Sequence, residues 1–278
     1  MSMNTSAKSF DPCLPAGGRR AGTGFGQTAR KDFWWVEPLC VAVGLGLFGV
    51  YSTWAAFQGN HYFWGPYLSP FYSPELFGDS PHALLGPKPG WWPSALPFSP
   101  ALLILWMPLG FRGTCYYYRK AYYRAFFQNP TACAVGKPWT TYCGETEFPL
   151  IVQNLHRYFL YLAIVVLSFL WIDGIKAFTR APGKDYIAGV GSFVLLFNAF
   201  FLTMYTFGCH SLRHLVGGHL DCFSDCSKSK LRHEAWKGVT CLNERHMLWA
   251  WISLTWVGAS DLYVRLLSMG KLTDLKLF

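Results

Sequence analysis

The fold is decided by IAGVGSFVLLFNAFFLTMYTFGCHSLRH, residues 187–214. Ile187 to Phe207 forms a long apolar run without a charged side chain, matching what the roughly 30 Å hydrocarbon layer of a bilayer requires of a helix. The run then meets a basic segment that begins at TFGCHSLRH, Thr206 to His214. Cys209, His210 and His214 therefore fall at the edge of an apolar layer. His210 and His214 are four apart and share one helix face, while Cys209 points about a third of a turn away.

The rest of the chain has the same character. Of 278 residues 52% are hydrophobic, 18% aromatic and 14% charged, well below the quarter of charged residues usual in soluble domains. Thirteen Trp, fifteen Tyr and twenty-three Phe exceed what one core needs, and such rings gather at bilayer interfaces. The net charge of +9 comes from residues scattered between apolar runs. That pattern follows the positive-inside rule and argues against nucleic acid as a partner. Nine Cys without a CxxC pair make a disulfide framework a poor reading and leave reduced thiols available as ligands.

The expected architecture is all-α: an integral membrane bundle of five transmembrane helices with a cytoplasmic N-terminus. Residues 1–32 read as a mobile or partner-ordered arm, rich in Gly, Ser and Ala and lacking the apolar core of a signal peptide. Residues 33–268 form the membrane domain, with spans at about 33–57, 98–118, 151–176, 185–214 and 246–267, and residues 269–278 are a short polar tail. The segment 60–97 holds eight of the seventeen prolines, so it reads as an ordered surface loop. Of the 24 Lys and Arg, sixteen flank the spans on the side of the arm and seven on the opposite side, which sets the orientation.

In that topology several potential ligands reach one depth near the inner interface. They are Cys115, His156, Cys209, His210, His214 and His246, carried on four spans, and a helix bundle places cofactors by projecting such residues inward. Two centres fit the residue types. A haem b needs two facing His, and a Rieske-type [2Fe–2S] cluster needs two Cys and two His. The mixture of Cys and His favours the cluster, because thiolates select iron–sulfur chemistry. Space-filling Cys and hydrogen-bonded His are the plain alternative for each residue singly. A zinc site at His219, Cys222, Cys226 and His233 is a weaker possibility, since the spacing is irregular. Arg112, Tyr116 and Arg119 are candidates for binding a quinone headgroup, whereas Tyr117 reads as an interfacial anchor. Asp173, Asp261 and Arg265 read as span ends, and His61, Trp64 and Tyr67 leave a second quinone site open.

Three stretches, TYCGETEFPLIVQNLHRYFLYLA (141–163), CHSLRHLVGGHLDCFSDC (209–226) and NERHMLWAWISLTWV (243–257), resemble the single-chain, five-span membrane anchor of succinate dehydrogenases and fumarate reductases. The resemblance implies a bacterial plasma-membrane subunit. Its partners would be a flavoprotein that oxidises succinate and an iron–sulfur subunit that relays electrons, and a higher oligomer of the complex is among the expectations. Quinone, expected to be menaquinone, would bind near the cytoplasmic face. Anchors of this family with two haems carry a His in each of spans one, two, four and five. Spans one and two have none here, so the expectation is one inner-side centre, a cluster or a single haem b. A structural anchor without its own centre and a small membrane transporter are the rival readings; the span centres are uncharged and no internal repeat is present, which disfavours the transporter.

Overall fold

The structure, a computed structural model, describes residues 25–128, 131–136, 146, 148, 150–179, 188–218 and 227–277. The chain divides into two units, Met1–Gly44 with Gly113–Leu155, and Leu45–Arg112 with His156–Phe278. Helix α1, Val36–Gln58, begins in the first unit and ends in the second. Among the described residues three helical stretches are long and apolar enough to cross a membrane: Val36–Gln58, Leu150–Lys176 and Val190–Phe207.

In the first unit the described end of the arm is held by backbone pairing. Gly26 N donates to Gly136 O at 3.0 Å and Gly136 N to Gln27 O at 2.8 Å, while Arg30 reaches the Cys133 carbonyl at 3.0 Å. Residues 25–32 are thus tied to the 131–136 loop rather than loose. The Arg30 guanidinium, bonded to Asp32, holds that carboxyl below its ordinary range.

The second unit is organised on α5 (His156–Lys176), α6 (Val190–Phe207) and α9 (His246–Ser268), with α6 packed against both others. Each buries residues three and four apart: Leu160, Ala163, Val166, Leu167 and Leu170 on α5, and Ala250, Leu254, Val257, Ser260 and Val264 on α9. That periodicity is one face of a helix turned inward. The outward faces are apolar too. On α1, Leu39, Val43, Leu47, Val50 and Trp54 are exposed, as expected where the surrounding medium is lipid.

Two expected spans differ from the observed helices. Residues 98–118 are divided into α2 (Ala101–Ile104), α3 (Trp106–Gly113) and α4 (Tyr116–Ala125). Pro108 has no N–H to give to the Ile104 carbonyl, which accounts for the first break. At the second, Cys115 is extended (φ −66°, ψ 131°) and sits at the N-cap of α4. Residues 185–214 likewise do not make one helix: α6 ends at Phe207, and a new helix α7, His210–Gly217, starts after Gly208 and Cys209. Helix α8, Ser227–Glu244, packs on α7.

The segment 60–97 is ordered, as expected, around a two-residue hairpin, β1 (Phe63–Trp64) with β2 (Tyr67–Leu68), and a 3₁₀ turn Pro70–Tyr72. Tyr62 stacks on Tyr72 at 4.3 Å and donates to the buried Glu75 at 2.9 Å. Burial first, and Glu75 second, push the Tyr62 phenol well above its ordinary pKa. The segment following α9 is not a free polar tail. It pairs back onto the start of α6 through an antiparallel bridge between Gly189 and Lys276, with Val190 N donating to Leu275 O and Leu277 N to Ala188 O. Asp274 collects Tyr67 OH at 2.6 Å, Tyr263 OH at 2.8 Å and Gly191 N at 3.0 Å. Gly191 is required at this crowded point, because a Cβ there would lie 2.4 Å from the Tyr67 ring.

Asp261 and Arg265 are also more than span ends. They form a fully buried i,i+4 ion pair at 2.8 Å. Tyr51 OH donates to Asp261 at 2.6 Å, Ser69 OH donates to its other oxygen, and Arg265 donates to the carbonyls of Ala55 at 2.9 Å and Asn60 at 3.1 Å. Asp173, on α5, accepts from Ser73. These bonds tie α1, the hairpin segment and α9 together, and they satisfy charges that would otherwise be costly in an apolar layer.

Candidate functional site

The break at Gly208 builds the site. A Cβ at Gly208 would lie 2.9 Å from Met204 O and 3.1 Å from both His246 Nδ1 and Leu242 O, so only glycine lets the chain pass here. Asn243 fixes the turn by donating to Gly208 O at 2.7 Å. The next residue, Cys209, is extended (φ −67°, ψ 136°) and buried, and its sulfur caps α7 by accepting from Ser211 N at 3.3 Å. The same sulfur lies 3.0 Å from Nε2 of His156, the first residue of α5. A thiol and an imidazole from two helices are thereby held in direct contact inside the protein.

Aromatic rings extend this pair into a file. Phe111 lies flat on His156, centroids 4.8 Å apart and planes 8° from parallel. Tyr205 meets Phe111 edge-on at 5.4 Å and stacks on His246 at 4.9 Å. Arg112 covers the Tyr205 ring, its guanidinium carbon 4.5 Å from the centroid, and donates to Ser253 Oγ at 2.9 Å and Ala250 O at 3.3 Å. His246 is 1% exposed. Beside the file runs a cavity of about 420 Å³. Its walls are mostly apolar, drawn mainly from α1, α3, α5 and α6; among its lining residues Arg112 alone carries a charge, with the Tyr205 ring beneath its guanidinium.

The structure sorts the residues singled out by sequence. His156, Cys209, His246 and Arg112 come together in the second unit. His210 and His214 do share a helix face, but they are exposed and turned to each other, Nε2 to Nε2 at 3.0 Å. Partial burial, then His214 and Arg213, lower the His210 pKa below its ordinary value. Cys115, Tyr116 and Arg119 belong to the first unit. Cys115 is buried there, and Tyr116 is exposed with the Arg119 guanidinium over its ring at 5.7 Å. His233 stacks on Trp236 within α8 at 5.7 Å; its expected zinc partners His219, Cys222 and Cys226 lie outside the described residues. Among the described residues no group of three His, Cys, Asp or Glu side chains gathers as for a metal ion. Phe111, Tyr205, Gly208 and Asn243 escaped the sequence reading. Only their nearness in sequence to Arg112, Cys209 and His246 signalled them.

Fold and site together define a helical membrane anchor, with soft and titratable side chains buried at one end of its bundle. The family model for actinobacterial succinate dehydrogenase subunit SdhC matches residues 36–270, and the chain belongs to that family as the membrane anchor subunit of a succinate dehydrogenase. Among solved structures, a chain of the Mycobacterium smegmatis Sdh1 complex in the apo form is similar at 42% identity with a TM-score of 0.82, covering 94% of this chain and 97% of that one. No curated protein matches the sequence at a significant level.

Proposed function

We propose that this subunit reduces quinone with electrons received from an iron–sulfur partner, which is itself supplied by a flavoprotein that oxidises succinate. The observation that carries the reading is the half-buried contact of Cys209 Sγ with His156 Nε2 at 3.0 Å. The donor set suits a [2Fe–2S] group of Rieske type in kind, since such a group takes two thiolates and two imidazoles. Cys209 and His156 would hold it, and His246 is the nearest further imidazole in the ring file. The group would supply one-electron transfer when bound. A haem b on two of the histidines is the alternative centre.

The remaining work falls to this chain's own side chains. Gly208 and Asn243 hold Cys209 at the junction of two helices. Phe111 and Tyr205 fix the ring planes of His156 and His246 and exclude water. Arg112 is the charged residue in the cavity wall, so its guanidinium can meet a quinone carbonyl while the apolar cavity takes the tail. Tyr116 and Arg119, from the first unit, are the further candidates for headgroup binding. The N-terminus lies in the cytoplasm, protons for the quinol come from that side, and the complex sits in the bacterial plasma membrane with menaquinone as the expected acceptor.

The test is iron, acid-labile sulfide and haem content of the purified complex, with electron paramagnetic resonance of the reduced state, before and after Cys209→Ser. Loss of about two iron and two sulfide per complex, together with quinone reduction but not succinate oxidation by artificial acceptors, supports the reading. Haem bands without a change in sulfide would move the centre to the histidines. Unchanged quinone reduction in Cys209→Ser would leave a purely structural anchor.

A further inference from the structure

The facing pair His210 and His214 has no part in that proposed function, yet its geometry is specific. The two Nε2 atoms are 3.0 Å apart, with ring centroids at 4.5 Å and planes crossing at 81°. Histidines at i and i+4 on a helix face bring ring nitrogens together only in selected rotamers. Helix α7 holds that arrangement from both ends. Cys209 caps its start, and Arg232 donates to Val216 O at 3.0 Å and Gly218 O at 2.9 Å at its finish. Arg213, the nearest cation in sequence, is turned onto Trp236 with its guanidinium 4.8 Å from the ring. The pair is exposed, so small ions and water can reach it.

We propose that His210 and His214 form a two-nitrogen site for a divalent first-row transition ion, with water completing the coordination. At metal–nitrogen distances of about 2.1 Å, a separation of 3.0 Å corresponds to an N–metal–N angle of about 90°. That angle is the cis angle of tetragonal and octahedral ions and is narrower than a tetrahedron allows. Two nitrogens in that relation favour Cu²⁺, which also stands highest in the affinity order for imidazole. Without the ion, one Nε2–H donates to the other Nε2 across the same gap; with the ion bound, that proton sits on Nδ1 of its own ring, and both neutral imidazoles present an Nε2 lone pair. Because Cys209 immediately precedes the pair and touches His156, occupancy is expected to slow quinone reduction. That consequence rests on the proposed function, whereas binding itself does not.

The experiment is a Cu²⁺ titration of the intact oxidised complex, without succinate or quinone, followed by electron paramagnetic resonance. A tetragonal Cu²⁺ signal with splitting from two imidazole nitrogens is expected, weakened by about tenfold or more in His214→Ala and again in His210→Ala. Both positions are on an exposed helix face, and recovery of the complex by size-exclusion chromatography shows that each variant assembles. Cu²⁺ affinity and nitrogen count unchanged from wild type in both variants would overturn the proposal, as would a wild-type signal without two nitrogens. In a separate succinate–quinone assay with added Cu²⁺, inhibition that persists in variants that have lost Cu²⁺ binding would overturn the link to quinone reduction while the site stands.

Discussion

The two ends of the α5, α6 and α9 bundle solve opposite problems with the same kind of residue. Where α9 finishes, Asp261 and Arg265 are buried as full charges, and each oxygen and guanidinium edge is answered by Tyr51, Ser69, Ala55 or Asn60. Where α9 begins, His246 and Cys209 are equally buried, but their surroundings are rings, a thiol contact and one guanidinium held over a Tyr. Charges paired and hydrogen-bonded on every side fix a structure. Soft donors among aromatic rings keep the capacity to bind or to change protonation state. The difference teaches that burial alone does not mark function; the kind of partner does.

Five variants would break or sharpen this contrast. The largest effect on stability is expected from Asp261→Ala, which leaves the Arg265 charge buried without its partner and should cost about 3–5 kcal/mol; thermal unfolding of the complex in detergent measures it. Pairing Asp261→Leu with Arg265→Met should recover most of that loss, and a double variant as unstable as the single one would show that the pair specifies the packing. At the opposite end, Cys209→Ser removes a proposed ligand and should leave the melting temperature nearly unchanged while quinone reduction falls by about 100-fold or more, at least what losing a ligand's supporting partner does. Arg112→Gln removes the cation over Tyr205 and should raise the KM for quinone about tenfold with kcat little altered. Smallest is Asp274→Asn, which weakens the collection of Tyr67, Tyr263 and Gly191 and should cost about 1–2 kcal/mol; a hydrogen-exchange comparison would localise it to residues near 188–191 and 274–277.

Apolar runs made the helices of the bundle legible, because lipid and core both demand continuous hydrophobicity and the run lengths carry through to α1, α5, α6 and α9. Breaks within those runs were not legible. Pro108 is tolerated in many membrane helices, and Gly208 followed by Cys209 reads as helix on hydropathy alone. The decisive fact at Gly208, that Met204, Leu242 and His246 crowd the place of its missing side chain, is tertiary. Asp261 and Arg265 stood at helical spacing in plain view, but a span end and a buried pair share the same sequence pattern, and only the fold brings Tyr51 and Ser69 to them. For the site, residue types pointed to Cys209, His156, His246 and Arg112. The rings that join them, Phe111 and Tyr205, were hidden among the chain's many aromatics.

The bridge between Gly189 and Lys276 also sets an order of events during synthesis. Helix α6 emerges from the ribosome and enters the bilayer well before α9, yet the strand that clasps its start follows α9 in the chain. Until residues 274–277 have been made, Gly189 and Val190 lack those partners, and Tyr67 lacks the carboxylate that accepts its hydrogen bond. The half-built bundle is therefore closed by a latch that arrives after its helices, and an arrest or cleavage after Ser268 would leave every helix present with the clasp missing.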